Sequence, residues 1–182
     1  SGLVSAEVPL IVIEPSAILT FRDEYPDLAE DDQLENAKHL SKYAYYIDEF
    51  IAREIEAGCI KRECFGNEKR NLVLHGHCQQ KAVGSLADTI KILSFPEHHE
   101  VETIPSGCCG MAGSFGYEKE HYEISMQIGE LVLFPSVRKN AATCTVAAPG
   151  TSCRHQIKDG TGVKALHPVE VLYDALVKRV DK

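Results

Sequence analysis

Three short apolar runs constrain this chain most, each stopped by a loop rich in glycine, histidine, proline or cysteine. They are NLVLHGHC (Asn71 to Cys78), HEVETIP (His99 to Pro105, followed by Ser106 and GCCGMAGSFGYE) and TCTVAAPG (Thr143 to Gly150). A strand buried on both faces shows such a continuous run rather than a polar–apolar alternation. Amphipathic stretches lie between and after them. QQKAVGSLADTIKIL reads as one helix with Val83, Leu86, Ile90 and Leu93 on one side, and a second helix runs from about Glu118 to Leu133. SCRHQI opens a short helix, Lys164 to Leu166 reads as a short strand, and PVEVLYDALVKRV closes the chain as a helix with Pro168 in its first turn. Strands alternating with helices predict an α/β fold with a mostly parallel sheet and helices on both faces. Upstream, PLIVIEPS reads as a strand entering a turn, residues 15–25 as a short helix and EYPDLAEDDQ as a loop. The segment through Tyr45, Phe50, Ile51 and Ile55 reads as a helix ended by Gly58.

Of 182 residues, 44% are hydrophobic, so a core needs no disulfide staples. The net charge of −8 argues against a nucleic-acid partner, which calls for a basic face. No apolar run reaches the roughly 18 residues of a membrane span. The opening SGLVSAEVPL has neither the basic start nor the apolar stretch of a secretory signal, which predicts a cytoplasmic protein. Ser1 and Gly2 read as an appended remnant, and the chain as a piece of something longer.

Seven cysteines, an odd number in a chain of this size, favour free thiols, metal ligation or redox chemistry over a disulfide framework. Cys59, Cys64 and Cys144 read as small buried apolar residues. Cys78, Cys108, Cys109 and Cys153 differ: each follows the C-terminal end of a predicted strand. In an open parallel sheet those ends share one edge, where ligands gather, so the four can converge. The side chains of the adjacent pair diverge, whereas paired zinc ligands are usually two to four residues apart. A cluster offers several irons to adjacent thiolates, and Gly107, Gly110 and Gly113 allow a tight backbone around it. Four thiolates match the ligand count of a four-iron, four-sulfur cluster. A Cys/His zinc site is the alternative, and a vicinal Cys108–Cys109 disulfide is a strained third. His75 and His77, flanking Gly76 beside Cys78, are ligands, donors to cluster sulfur, or loop residues. His155, two residues after Cys153, is a further candidate donor. His39, His98, His99 and His121 read as surface residues, and His167 as part of the closing turn. No Ser/His/Asp arrangement is visible, so no catalytic residue is assigned.

At these residues the chain resembles the cysteine-rich CCG domain family. That family occurs in heterodisulfide reductase, in the iron–sulfur subunits of glycolate oxidase and anaerobic glycerol-3-phosphate dehydrogenase, and in fused FAD-linked oxidases. The matching stretches are IEPSAILTFRDEY, LVLHGHCQQKA, IPSGCCGMAGSFGYEKEHYEISMQIGE and APGTSCRHQIKDGTGVKALHPVEVL. The wording is most similar to the C-terminal part of FAD-linked 2-hydroxyacid dehydrogenases. The resemblance implies that Cys78 is the lone cysteine, Cys108 and Cys109 the pair, and Cys153 the last member of the closing motif. That motif's earlier cysteine would fall at Gly150 and is missing, and Ala17 stands where a preceding repeat would carry a cysteine. The implied organisation is a repeat tail over 1–30, a helical connection over 31–70 and the cysteine-rich domain over 71–182, giving two related Rossmann-like half-units, the first incomplete. The implied function is electron transfer through an iron–sulfur cluster, in a non-catalytic part of a FAD-linked oxidoreductase whose flavin oxidises a 2-hydroxy acid. FAD is then expected on another domain or subunit. The implied partners are that FAD-binding unit, other iron–sulfur domains and an electron acceptor, with membrane association through a partner. The rival readings are a zinc-binding docking module and a thiol–disulfide module using Cys108–Cys109.

Overall fold

The protein is described here from a computed structural model over residues 3–177. The first part runs β1 (Leu10–Val12), α1 (Pro15–Thr20), α2 (Glu24–Leu28), α3 (Leu34–Tyr43), β2 (Ala44–Tyr46) and α4 (Ile47–Glu56). The second runs β3 (Arg70–Leu74), α5 (Cys78–Val83), α6 (Ala87–Leu93), β4 (His99–Thr103), α7 (Tyr122–Leu131), α8 (Leu133–Asn140), β5 (Thr145–Ala147), α9 (Thr151–Thr161) and α10 (Pro168–Ala175). The architecture is the expected α/β one: β1 pairs with β2, and β4–β3–β5 form a three-stranded sheet, with all pairings parallel.

The larger sheet is covered on both faces. Val73 joins a core with Ile104, Leu133, Phe134, Val146 and Ile157, while its neighbours Leu72 and Leu74 join another with Ile92, Leu93, Val171 and Leu172. This is the two-residue strand period read out as two cores, with α7–α9 on one side and α4, α6 and α10 on the other. Ile18, Leu19, Ala44 and Tyr46 form the smaller core of the β1–β2 unit.

Several local readings change. Of the run expected as loop, Glu24–Leu28 is the short helix α2, while residues 29–33 are loop as expected, leading into α3; the two helices bury only Ala37 and so carry little apolar signal. Tyr45 belongs to β2, and the helix starts only at Ile47, because Ala44 and Tyr46 are needed in the small sheet. The helix expected over QQKAVGSLADTIKIL is two helices. Gly84 ends α5, leaving Val83 exposed, and the break lets Leu86 pack over Gly76. Val132 (φ −143°, ψ −44°) likewise separates α7 from α8, turning Phe134 and Val137 into the core. Lys164 to Leu166 contributes one parallel bridge, Leu166 to Ala147, rather than a strand. The closing helix ends at Ala175 among the described residues, and the final KRV of its expected span lies outside them.

Buried polar contacts join the two parts. His167 Nδ1 accepts from the Val169 N–H (3.1 Å), which leaves Nε2 to face Tyr46 Oη (3.0 Å) and the Ile13 carbonyl (3.3 Å). Asp48 is fully buried; Thr89 Oγ1 donates to its Oδ2 at 2.6 Å and receives Gln80 Nε2 at 2.9 Å. Burial pushes the Asp48 carboxyl up to about 7, with the Thr89 hydrogen bond opposing it. Arg22 of the α1–α2 turn pairs with Glu49 and donates to the Ala44 carbonyl at 2.8 Å, bracing β2 from outside.

Candidate metal centre

The three strands of the larger sheet run parallel, so their C-terminal ends open on one edge. Cys78 begins α5 four residues after β3, Cys108 and Cys109 follow β4, and Cys153 sits in the first turn of α9 after β5. The four thiols are near enough to perturb one another in sequence, Cys78 with Cys108, Cys108 with Cys109, and Cys109 with Cys153. A ring nitrogen of His75, Cys109 Sγ and Cys153 Sγ all lie within 4.8 Å of one another, and all three residues are buried. All seven cysteines are unpaired.

The loop after β4 is shaped for sulfur. The Gly110 N–H points at Cys108 Sγ (3.3 Å), and further backbone donors at Ala112 and Met111 serve Cys108 and Cys109. Gly110 (φ 103°), Ala112 (φ 43°) and Gly113 (φ 70°) bend the backbone so that successive N–H groups line a concavity, a nest suited to negative charge. At Gly110 the constraint is steric as well. A Cβ there would lie 2.2 Å from the Ser125 carbonyl oxygen, which accepts from Gln156 Nε2 at 3.0 Å while the same nitrogen donates to Ser125 Oγ at 2.9 Å. Lys81 fixes the other end of the loop, donating to the carbonyls of Ser106 (2.6 Å) and Gly107 (2.9 Å).

Hydrogen bonding divides the four thiols into two kinds. Bonds from Cys109 and Cys78 hold Cys108 far below the ordinary thiol range; Cys153 is held low by Cys109 and then by neighbouring His75. Cys78 and Cys109 are pushed up, first by donating to those sulfurs and then by burial. Metal binding draws on the deprotonated form of each thiol.

The histidines separate clearly. His75 is fully buried; its Nδ1 contacts Ser106 Oγ at 2.7 Å, and its Nε2 has no hydrogen-bond partner. His77 is buried with Nδ1 unpartnered, and its Nε2 stands 4.0 Å from Glu14 Oε1. A Cβ at Gly150 would lie 2.4 Å from the His77 ring and 3.3 Å from Cys153 Sγ. The imidazole therefore fills the room that a side chain at Gly150 would take. His155 is exposed, bonds Tyr117 Oη at 2.9 Å, and is not among the sulfur contacts. The donor set fits a metal group: soft sulfurs in mutual contact, two buried ring nitrogens without partners, and amides aimed at sulfur.

Other expectations are corrected. Cys59 and Cys64 are exposed, because they lie at the ends of helices or in the loops between elements, whereas Cys144 is half-buried against the core that holds Val73 and Phe134. His99 is buried, not a surface residue, with Nδ1 on the Leu93 carbonyl at 3.0 Å. Sequence reasoning missed Ser106, Lys81, Ser125, Gln156 and Glu14. Ser106 sits two residues before the pair, which was a usable signal; nothing in the sequence marks the other four.

Comparison with known proteins agrees with an oxidoreductase setting. Over 93% of its length the chain is similar to a subunit of the anaerobic glycerol-3-phosphate dehydrogenase of Escherichia coli K12, 28% identical over 169 residues and spanning 41% of that protein. It is also similar to D-2-hydroxyglutarate dehydrogenase of Escherichia coli K12, 28% identical over 173 residues and 16% of that protein, and to that of Haemophilus influenzae, 26% identical over 177 residues. No family model and no solved structure matches the chain. No helix among the described residues is long and apolar enough to cross a membrane. The chain is thus similar to parts of oxidoreductases and spans less than half of each of these dehydrogenase relatives.

Proposed function

We propose that this chain is an iron–sulfur electron-transfer module of a FAD-linked dehydrogenase, with Cys78, Cys108, Cys109 and Cys153 holding the cluster over residues 71–182. The observation that carries this reading is that three parallel strand ends bring four mutually perturbing cysteines to one sheet edge, with the Gly110 N–H aimed at Cys108 Sγ. When bound, the cluster supplies one-electron redox chemistry. The chain's own residues hold and tune it. Gly110, Met111 and Ala112 direct backbone N–H groups at sulfur, which favours the more negative, reduced state. Gln156 and Lys81 keep that loop in place. The hydride-accepting flavin belongs to another domain or subunit, and residues 1–30 are the tail of a preceding repeat joined through 31–70. The relatives named as dehydrogenases support this setting, and the D-2-hydroxyglutarate relative supports a 2-hydroxy acid as substrate class. The test is anaerobic purification of the full chain with analysis for iron and acid-labile sulfide. Brown protein with both elements, and an electron paramagnetic resonance signal on reduction, is expected. A colourless protein free of iron and sulfide would sink the proposal.

One observation favours a second reading, a single zinc ion. His75, Cys109 and Cys153 offer three donor atoms within 4.8 Å, the spacing of ligands around one small ion. That reading expects one zinc per chain, no sulfide, and loss of stability on chelation.

A further inference from the structure

Two buried imidazoles border the thiols, and their hydrogen bonds differ in kind. His75 has one nitrogen committed and one free: Nδ1 meets Ser106 Oγ at 2.7 Å, and Nε2 is buried with no partner. A wholly buried ring nitrogen calls for a partner, and a ring nitrogen of His75 lies within 4.8 Å of both Cys109 Sγ and Cys153 Sγ. The pattern is that of a metal-bound imidazole, whose second N–H is donated to an oxygen that fixes tautomer and ring orientation. His75 has little freedom to turn away. It follows β3 directly, its N–H donates to the Ala147 carbonyl at 2.9 Å, and no part of it is exposed.

We infer that His75 is a direct nitrogen donor to the metal group held by Cys109 and Cys153, with Ser106 as the residue that sets its tautomer. The inference rests on the metal-binding reading above and sharpens it from an all-sulfur to a mixed Cys/His donor set. It assigns a different part to His77. That ring fills the room beside Gly150, with its Nε2 side toward Glu14, and so leaves no space there for a further side-chain donor. A neutral imidazole in the donor set also leaves the site one negative charge lighter than thiolate would. For an iron–sulfur group this raises the reduction potential, as when histidine replaces cysteine at a two-iron centre.

The test is X-ray absorption at the edge of whichever metal, iron or zinc, the anaerobically purified full chain contains. The expected first shell includes a nitrogen scatterer as well as sulfur, with multiple scattering from an imidazole ring. His75→Cys is expected to keep the metal, lose the imidazole signature and lower the potential of an iron centre. His77→Gln is expected to keep the signature. Ser106→Ala, which leaves the ligands intact, is expected to weaken metal retention by about 10–100-fold. A wild-type shell of sulfur alone overturns the assignment of His75 while leaving the metal-binding reading standing. Complete absence of metal overturns both. Loss of the imidazole signature in His77→Gln but not in His75→Cys would show that the wrong ring was assigned. The wild-type spectrum decides the question even if His75→Cys fails to fold.

Discussion

The two parallel units of this protein repeat one turn and fill it differently. β1 leads through Glu14 into Pro15, Ser16 and Ala17, and β5 leads through Gly150 into Thr151, Ser152 and Cys153. In both, the helix cap is extended, with φ, ψ of −92°, 118° at Glu14 and −75°, 136° at Gly150. The third helical position is Ala17 in one and Cys153 in the other. The backbone geometry that delivers Cys153 to the sulfur line is therefore present twice, and the thiol only once. The shared fold supplies position and the side chains supply chemistry, so likeness of fold alone does not locate a site. The two turns also touch: Glu14 Oε2 accepts the Thr151 N–H at 2.9 Å, so the cap of the thiol-free unit closes the helix that carries Cys153.

Exchanging the third positions puts this contrast under the most severe strain. Cys153→Ala is expected to abolish stoichiometric metal retention, read as metal per chain after gel filtration. Ala17→Cys is expected to add none, because β1 and β2 bring no second thiol to that edge. A second metal equivalent in Ala17→Cys would mean that the first unit is a latent site and not only a buttress.

The next effect concerns the joint between the units. The folded-state carboxyl of Asp48 is raised to about 7 from 3.8, so the stability it contributes is full below about pH 4 and is lost as pH rises through 7. Asp48→Asn removes that loss. The advantage of the variant over the parent protein should therefore grow between pH 4 and pH 7, by on the order of 4 kcal/mol if the whole shift is expressed. Urea denaturation of the metal-free proteins across that window measures it, and a difference independent of pH would refute the buried, protonated Asp48. His167 acts in the opposite sense within the same range. Burial holds it down to about 4, so its contribution is present above about 6.5 and falls away on acidification. The Asp48→Asn protein should thus weaken more steeply than the parent as pH falls from 7 to 4.

Smaller is the effect on the nest. Gly110→Ala places a Cβ 2.2 Å from the Ser125 oxygen at a φ of 103°, combining steric overlap with backbone strain. We expect a loss of about 3 kcal/mol, seen by calorimetry as a melting temperature lower by roughly 6–12 °C. Gly113→Ala, where a Cβ would meet nothing within 4 Å, isolates the strain alone and should cost less. Smallest is Glu14→Ala, which removes a cap supplied from the other unit. A loss of about 1 kcal/mol is expected from chemical denaturation, against no change for exposed Glu7→Ala.

Much of the cysteine-bearing unit was legible in the sequence. β3 and β5 were continuous apolar runs and β4 a shorter alternating one, each with a cysteine just beyond its end, and a parallel sheet then forces those ends together. The first unit was less legible for physical reasons. Residues 44–46 fit the helical spacing of Tyr45, Phe50 and Ile51, and only the tertiary pairing with β1 selects strand. α2 and α3 rest mostly on water, so they show no apolar face of the kind that marks a helix. The helix breaks at Gly84 and Val132 follow from where Leu86 and Phe134 must pack, which is information about neighbours and not about local sequence. The parts of His75 and His77 were beyond reach for the same reason. Two histidines around one glycine look alike until burial, Ser106 and Glu14 distinguish them.

The hydrogen bond from Thr151 to Glu14 joins residues 137 positions apart. Seen as a matter of timing, contacts this distant form late, because a long loop must close before they can contribute. The turn that presents Cys153 is thus completed only once β1 has returned to the sheet edge, and on the proposed reading the loading of the centre would follow that closure rather than seed it.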